Sequence, residues 1–236
     1  MRIRAALILV ATLAFALSPL LNPGFGGFEA SRLPALQGDP PILPAGWAFA
    51  IWGVIYLWLL AMAGFGLWQR AEAADWDASR VPLVASLAVG AAWLPMAQVS
   101  PIWATVMIWL MLAAALLAHA RTPARDRWLL AAPVGLYAGW LTAASAVALG
   151  TTLAGWAVPP LGPQGWAVVC LVVAVAIALV MLGLRPTLTY GAAMAWALVA
   201  VTARDGATAV GLLAALAAAV VAATTLWHLR RMGAAR

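Results

Sequence analysis

The chain has 236 residues, of which 66% are hydrophobic and only 8% carry a charge. This composition excludes an ordinary soluble domain and is typical of a polytopic membrane protein, so the lipid bilayer is its first expected partner. All thirteen basic residues are arginine and the net charge is +6, yet the arginines are scattered over short loops and form no basic stripe. We therefore expect no nucleic-acid partner.

Eight apolar segments follow one another along the chain, and each has the length and apolar character of a membrane helix. Ser100-Pro101 and Arg185-Pro186 separate neighbouring segments, and each proline suits the first turn of the next helix. The sequence therefore predicts an all-α, polytopic membrane helix bundle without a soluble domain. The predicted segments are 5–21, 47–68, 82–99, 102–120, 128–150, 165–184, 187–203 and 207–228.

The placement of arginine predicts how these helices cross the membrane, because arginine-rich loops stay in the cytoplasm. With eight crossings and a cytoplasmic N-terminus, only Arg32 and Arg204 fall outside, whereas seven crossings would expose an arginine-rich end. We expect a bacterial-type inner (cell) membrane and both termini in the cytoplasm. The cytoplasmic arginines would be Arg2, Arg4, Arg70, Arg80, Arg121, Arg125, Arg127, Arg185, Arg230, Arg231 and Arg236.

The first apolar segment has a second interpretation. Two arginines at positions 2 and 4 precede an apolar stretch that ends near Ala14-Phe15-Ala16, and a cleaved signal peptide has the same pattern. Pro19 and the apolar run that continues to Leu21 favour a retained helix instead.

Residues 22–46 form the longest predicted loop and are rich in glycine and proline. A loop of this length inside a compact bundle is uncommon unless it covers a site or is disordered. Two interpretations stay open at this point: the loop covers a ligand pocket, or it is a plain linker on the outer side.

The second apolar segment carries its aromatic residues in a helical pattern. Phe49, Trp52 and Tyr56 are spaced i, i+3 and i+7 and share one face of a helix, whereas Trp58 lies on a different face. Large rings with polar tips along one face indicate a surface that holds a flat apolar molecule. An aromatic belt at the membrane interface is the alternative, but it explains Trp47 better than the deeper Trp52.

This segment resembles the start of the second transmembrane helix of the TspO/MBR family, the translocator proteins or tryptophan-rich sensory proteins. The family pattern of proline, tryptophan, a second tryptophan and then tyrosine matches Pro44, Trp47, Trp52 and Tyr56, with Gly46 between the first two. The interval from Trp47 to Trp52 is one residue shorter than in the family, so one of these two indoles must face another way. The chain is identified as a longer, divergent member.

The resemblance extends to the third and fifth segments. Trp93 matches a family tryptophan whose partner asparagine is replaced here by Gly90. Tyr137, Trp140 and Ser145 fall where the family has two aromatic residues and an asparagine, with the ring types exchanged. The resemblance implies a five-helix core over residues 1–155 and about three additional helices over 156–236.

These matches fall at similar depths, in the outer half of the bundle and beneath the 22–46 loop. We therefore expect a ligand pocket there, which Trp103 would border at the outer end of the fourth helix. The alternative is that tryptophan fills gaps between helices rich in alanine and glycine. The predicted ligand-binding residues are Trp47, Phe49, Trp52, Tyr56, Trp93, Trp103, Tyr137, Trp140 and Ser145.

The sequence offers little for other chemistry. All seven acidic residues lie in loops or at segment ends, and no spacing matches a metal cluster, a phosphate-binding loop or a catalytic triad. We expect no catalytic residue, no metal and no cofactor, and a receptor or carrier rather than an enzyme. The resemblance implies a tetrapyrrole, such as a porphyrin, or a sterol-like lipid as ligand, a regulatory or transport role, and homodimers. A transporter or permease subunit and a porphyrin-degrading enzyme are the alternatives.

Overall fold

A computed structural model describes residues 1–24, 26–35 and 38–234. Within these residues all regular secondary structure is helical, and the eight predicted helices are confirmed. Short 3₁₀ turns at Ala30–Arg32 and Gly46–Ala50 lie in the first loop. The helices are α1 (Arg2–Leu21), α2 (Ile51–Gln69), α3 (Ala74–Val99), α4 (Pro101–Ala120), α5 (Ala131–Gly155), α6 (Pro163–Leu184), α7 (Leu188–Asp205) and α8 (Ala209–Ala234).

The helices run alternately up and down between two ends of the bundle. At one end, Arg4 forms an ion pair with Asp77 of α3, and Arg70 after α2 pairs with Asp126 before α5, Nε to Oδ2 at 2.7 Å. The Arg70 guanidinium holds the pKa of the Asp126 carboxyl below its usual range, because the charged carboxylate is the form that accepts its hydrogen bonds. This end gathers the arginine-rich loops, so we name it the arginine-rich end.

The opposite end is closed by the long first loop, and we name it the loop end. Arg32 donates to the carbonyl of Val99 at 2.8 Å, and the Ala35 amide donates to the carbonyl of Gly155 at 2.9 Å. Arg204 at the end of α7 forms an ion pair with Asp39. The two sets of arginines that the positive-inside rule assigns to opposite sides of the membrane therefore lie at opposite ends of the bundle. Arg236, which the sequence also assigns to the cytoplasm, lies outside the described residues.

Helix α5 is the centre of the bundle. It packs against α2, α4, α6 and α7, and 78% of its 18-residue apolar stretch is buried. Small residues permit this, as at Gly139, where any β-carbon would collide with the backbone carbonyl of Tyr190 in α7. Close approach at small residues is the usual way in which membrane helices gain van der Waals contact without a hydrophobic driving force.

Seven of the eight helices are long and apolar enough to cross a membrane, and α7 is the exception among the described residues. Helix α7 has 18 residues, which gives it a length of about 27 Å. One of its faces is buried against α5 and α8, so its polar residues need not meet lipid. It therefore belongs to the bundle although its composition alone does not mark it as a membrane span.

The boundaries differ from the sequence prediction mainly in α3. This helix begins at Ala74, eight residues before the predicted start at position 82. Asp75 and Asp77 lie in its first turn, where negative charge favours the helix dipole, and Ser79 and Arg80 follow in buried positions. An apolar-segment criterion ends at these polar residues, but the helix does not, because Arg80 is satisfied by the carbonyls of Ala71 and other backbone groups.

Candidate functional site

An aromatic cluster joins α1, α2 and α5 below the loop end. Trp52 and Tyr56 are stacked, with ring centroids 5.5 Å apart and planes 16° from parallel. The indole of Trp140 meets Trp52 edge-on at 6.1 Å and Phe49 at 5.9 Å. Phe49 in the 3₁₀ turn and Trp52 and Tyr56 in α2 thus form one continuous aromatic surface with Trp140, as edge-to-face and offset-stacked ring pairs favour.

A cavity of about 740 Å³ opens against this surface. Five of the predicted site residues, Phe49, Trp52, Tyr56, Trp93 and Trp140, form part of its wall. The volume lies within the range of pockets that hold drug-sized ligands, and such pockets combine apolar walls with few polar groups. The cavity therefore has the size and chemistry expected for a flat apolar molecule.

Phe15 of α1 is an aromatic wall residue that the sequence prediction missed. Its ring contacts Trp52 at 5.8 Å, Tyr56 at 5.2 Å and Tyr137 at 5.7 Å, each edge-on. The ring fits because position 90 is glycine: a β-carbon there would lie 2.8 Å from two carbons of the Phe15 ring. Phe15 therefore occupies the space that a side chain at position 90 would need.

The first loop covers the cavity. Backbone and side chains from Gly24 to Pro44, among the described loop residues, contribute to its wall. Buried Leu33 packs on Gly155 and buried Ile42 packs near Gly150, so α5 holds the loop in place. The structure therefore supports the first of the two interpretations, in which this loop caps a pocket.

Four predicted site residues lie outside the described wall. The ring centroid of Trp47 lies 4.8 Å from that of Trp196 in α7. Trp47 and Trp52 therefore face different ways, as the short interval between them indicated. Trp103 is 61% exposed on the outside of α4. Tyr137 and Ser145 are buried behind the wall, where the Tyr137 hydroxyl lies 2.9 Å from Ser86 Oγ and the Ser145 hydroxyl donates to the Ile108 carbonyl at 3.2 Å.

The additional helices take part in the cavity, which the division at position 155 did not anticipate. Leu171 and Ala174 of α6 and Met194, Ala197 and Leu198 of α7 belong to its wall. Trp196 also donates its indole N–H to the carbonyl of Ala48 at 3.0 Å, which ties α7 to the 3₁₀ turn before α2. No local pattern in α7 marks these positions, because small and aliphatic residues are equally common in plain packing faces.

Polar groups are distributed unevenly over the wall. The charged groups, Glu29, Asp39 and Arg204, all lie at the loop end. Two wall residues of α5 each have a buried polar atom without a hydrogen-bond partner among the described residues, Trp140 Nε1 and, one turn from the loop end, Thr151 Oγ1. The cavity thus has its charged groups at the mouth and a mainly apolar wall below them.

Comparison with known proteins identifies the family of the chain. The family described as TSPO-like protein matches residues 5–227, which is nearly the whole chain. The chain belongs to the TSPO-like family. No curated protein and no solved structure matches it. Because the TSPO-like match runs through α6 and α7 and into α8, the family resemblance is not confined to the first five helices. The apolar helices together with this family identify an integral membrane protein.

Proposed function

We propose that this TSPO-like protein binds a flat apolar ligand, such as a porphyrin or a sterol-like lipid, in the cavity beneath the first loop. The observation that carries the proposal is the joint presence of the 740 Å³ cavity and the aromatic surface of Phe15, Phe49, Trp52, Tyr56 and Trp140 on its wall. Rings that already contact one another edge-on and in stacks offer further ring faces and edges to a planar guest.

We further propose that the protein acts as a receptor or carrier with a regulatory or transport role, and that it releases the ligand chemically unchanged. Aromatic and aliphatic groups dominate the wall, and its acidic groups stand at the loop end rather than beside the aromatic surface. The arginine-rich end would face the cytoplasm, and the cavity mouth would then lie on the outer side of a bacterial-type inner membrane.

A matched pair of variants in α2 tests the ligand site. Trp52 lies on the cavity wall, whereas Trp58 stacks on Trp128 at 6.5 Å and donates its indole N–H to the Trp128 carbonyl at 2.8 Å, on another face. We expect Trp52→Ala to weaken porphyrin binding roughly tenfold, about 1.4 kcal/mol, and Trp58→Ala to change it less than about twofold.

The measurement is tryptophan-fluorescence titration of the purified protein in lipid nanodiscs with a panel of porphyrins and sterols, followed by recovery of the ligand for mass analysis. Equal losses of affinity in the two variants would show that the ligand binds elsewhere. A chemically altered porphyrin in the recovered fraction would contradict the receptor assignment and favour an enzyme.

A further inference from the structure

The cavity wall extends around α5, away from the aromatic surface. Ala143 and Ala146 of α5 belong to the wall, and they share a helix face with Gly139, at i+4 and i+7 from it. Gly139 packs on α7, and Trp140 points about 100° away from it. The cavity therefore has a second region between α5, α6 and α7, which we name the aliphatic arm. Helices α6 and α7 contribute to its wall Leu171, Ala174, Met194, Ala197, Leu198 and Val201.

The aliphatic arm has a defined length. Towards the arginine-rich end it stops where a β-carbon on Gly139 would lie 2.4 Å from the Tyr190 carbonyl oxygen. Towards the loop end, a β-carbon on Gly150 would lie 3.2 Å from Ile42 of the first loop and 3.6 Å from Cys170 of α6. Helix α5 rises about 16 Å between these two glycines. An extended polypeptide advances about 3.6 Å over the three bonds of a residue, so a straight chain of roughly a dozen carbon atoms has the length of the arm.

The arm differs chemically from the rest of the cavity. Its wall consists of alanine, leucine, methionine and valine side chains, whereas the aromatic wall residues belong to α1, α2, α3, the first loop and the Trp140 face of α5. Met194, Leu198 and Val201 follow one face of α7, and none of them is more than 4% exposed. Aliphatic atoms offer dispersion contact to a flexible chain, and methionine adapts its shape to such a chain. The arm therefore suits an alkyl chain better than a rigid ring system.

The charged groups at the mouth restrict the head group of such a chain. Arg204, which lies one turn beyond Val201, forms an ion pair with Asp39, and Glu29 pairs with Arg32 at 3.4 Å. A charged head group would have to compete with these ion pairs. A hydroxyl group can donate to Asp39 and accept from Arg204 without separating the two charges. The mouth therefore favours a neutral, hydroxyl-bearing head group.

We propose that the aliphatic arm binds the alkyl chain of a single-chain lipid with a neutral hydroxyl head group, such as a long-chain alcohol or a monoacylglycerol. The chain lies between α5, α6 and α7, and the head group lies at the mouth beside Asp39 and Arg204. This site goes beyond the proposed function, because the flat ligand uses the aromatic surface on another face of α5 and the chain needs no ring.

A photoreactive analogue of dodecanol, with a diazirine at the end of its chain, tests the site in the wild-type protein. The full-length protein in nanodiscs is irradiated with this probe, and the labelled residues are identified by peptide mass spectrometry. We expect labels at Leu171, Met194 or Leu198, and an excess of dodecanol should reduce them about fivefold or more. Labels confined to lipid-exposed residues such as Val199 and Leu212, or arm labels that dodecanol does not reduce, would overturn the proposal.

Two variants of α7 make the same change on different faces. Ala197→Leu fills part of the arm, whereas Ala192→Leu enlarges an exposed side chain. We expect the first to reduce arm labelling about fivefold or more and the second to change it less than about twofold. Equal arm labelling in the two variants would overturn the proposal. If Ala197→Leu does not fold, the label positions and the dodecanol competition in the wild type still decide.

The head group and the proposed function are tested separately on the same preparation. Dodecanol should displace the probe about fivefold better than dodecanoate or dodecylamine does at equal concentration in the nanodisc. A carboxylate or an amine that competes equally well would overturn the neutral head group. Porphyrin binding without arm labelling would overturn only the aliphatic arm as a site, and arm labelling without porphyrin or sterol binding would overturn only the proposed function.

Discussion

At the scale of single residues, one missing side chain shapes the cavity wall. Because Gly90 has no β-carbon, the ring of Phe15 lies directly on the backbone of α3 and reaches Trp52, Tyr56 and Tyr137. Met111 approaches the same point from α4, with its terminal methyl 3.0 Å from where a β-carbon would be. The wall is therefore packed around a glycine rather than around a polar contact.

Gly90→Ala tests this packing. The added methyl group would push on a Phe15 ring that three other rings already hold, so we expect a destabilisation of about 1–3 kcal/mol from overpacking. The matched control is Gly64→Ala in α2, where a β-carbon meets nothing within 4 Å and the helix propensity of alanine should be neutral or slightly favourable. Thermal unfolding of both variants in detergent is the measurement. Equal melting temperatures for the two variants would show that Phe15 moves away freely.

Only part of the site could be predicted from the sequence at this scale. The shared face of Phe49, Trp52 and Tyr56 follows from helical periodicity alone, because all three lie within one continuous helical stretch. Phe15 could not be found in this way, since its contacts arise from the packing of α1 against α2 and α3. Tyr137 was assigned to the wall from the family resemblance, yet it lies one layer deeper because Phe15 covers it.

At the scale of helices, the contact between α5 and α7 depends on Gly139. A β-carbon at this position would collide with the backbone carbonyl of Tyr190, which cannot move without moving α7. Helix α7 carries part of the cavity wall, so a displacement of α7 also changes the cavity. The small residue is therefore needed both for the packing of α7 and for the shape of the cavity.

We expect Gly139→Ala to be more damaging than Gly90→Ala, because its clash is with backbone rather than with the end of a side chain. Its unfolding free energy should fall by at least about 2 kcal/mol, the upper part of the range for overpacked cores, and ligand affinity should fall with it. Gly53→Ala in α2, where the added methyl meets nothing within 4 Å, is the control for both measurements. A stable Gly139→Ala protein with unchanged affinity would contradict the close α5–α7 contact.

The first loop is the other element that lines the cavity. The ion pair between Asp39 and Arg204 joins the loop to α7 at the mouth, and the Asp39 side chain is 73% exposed. Exposed ion pairs contribute little to global stability, but loss of this one releases the loop from α7. We expect Asp39→Ala to speed both ligand association and dissociation in stopped-flow fluorescence, with an unchanged melting temperature. Arg125→Gln, which breaks exposed ion pairs at the arginine-rich end, should leave both rates unchanged.

Helix boundaries were predictable where the sequence has a capping residue followed by proline. The Ser100 side chain accepts from the Trp103 amide and Pro101 begins α4, as the dipeptide indicated. The start of α3 was not predictable from apolar content, because its first turns are polar and are stabilised by contacts with α1 and with residues 70 and 71. The role of α7 in the cavity was likewise hidden, since it depends on which helices meet.

At the scale of the whole molecule, the two ends differ in charge and in construction. The arginine-rich end is joined by ion pairs between α1, α2, α3 and the α4–α5 connection. Among the residues that the structure describes, the basic side chains at the loop end are Arg32 and Arg204, and both are engaged with neighbouring groups there. The arginines lie at two different ends because the eight helices run in alternate directions. If α7 did not cross the membrane, α8 would be reversed, and Arg230 and Arg231 would lie on the opposite side.

The last prediction concerns this topology. In a variant whose single cysteine, Cys170, is replaced by alanine, a new cysteine is placed at Glu72 in the arginine-rich end or at Ala207 between α7 and α8. Because arginine-rich loops stay in the cytoplasm, we expect a membrane-impermeant maleimide to label Ala207→Cys in intact cells and Glu72→Cys only after permeabilisation. Leu161→Cys, between α5 and α6 at the loop end, is the positive control and should label like Ala207→Cys. If Leu161→Cys labels from outside while Ala207→Cys behaves like Glu72→Cys, α7 does not cross the membrane and the eight-helix topology is wrong.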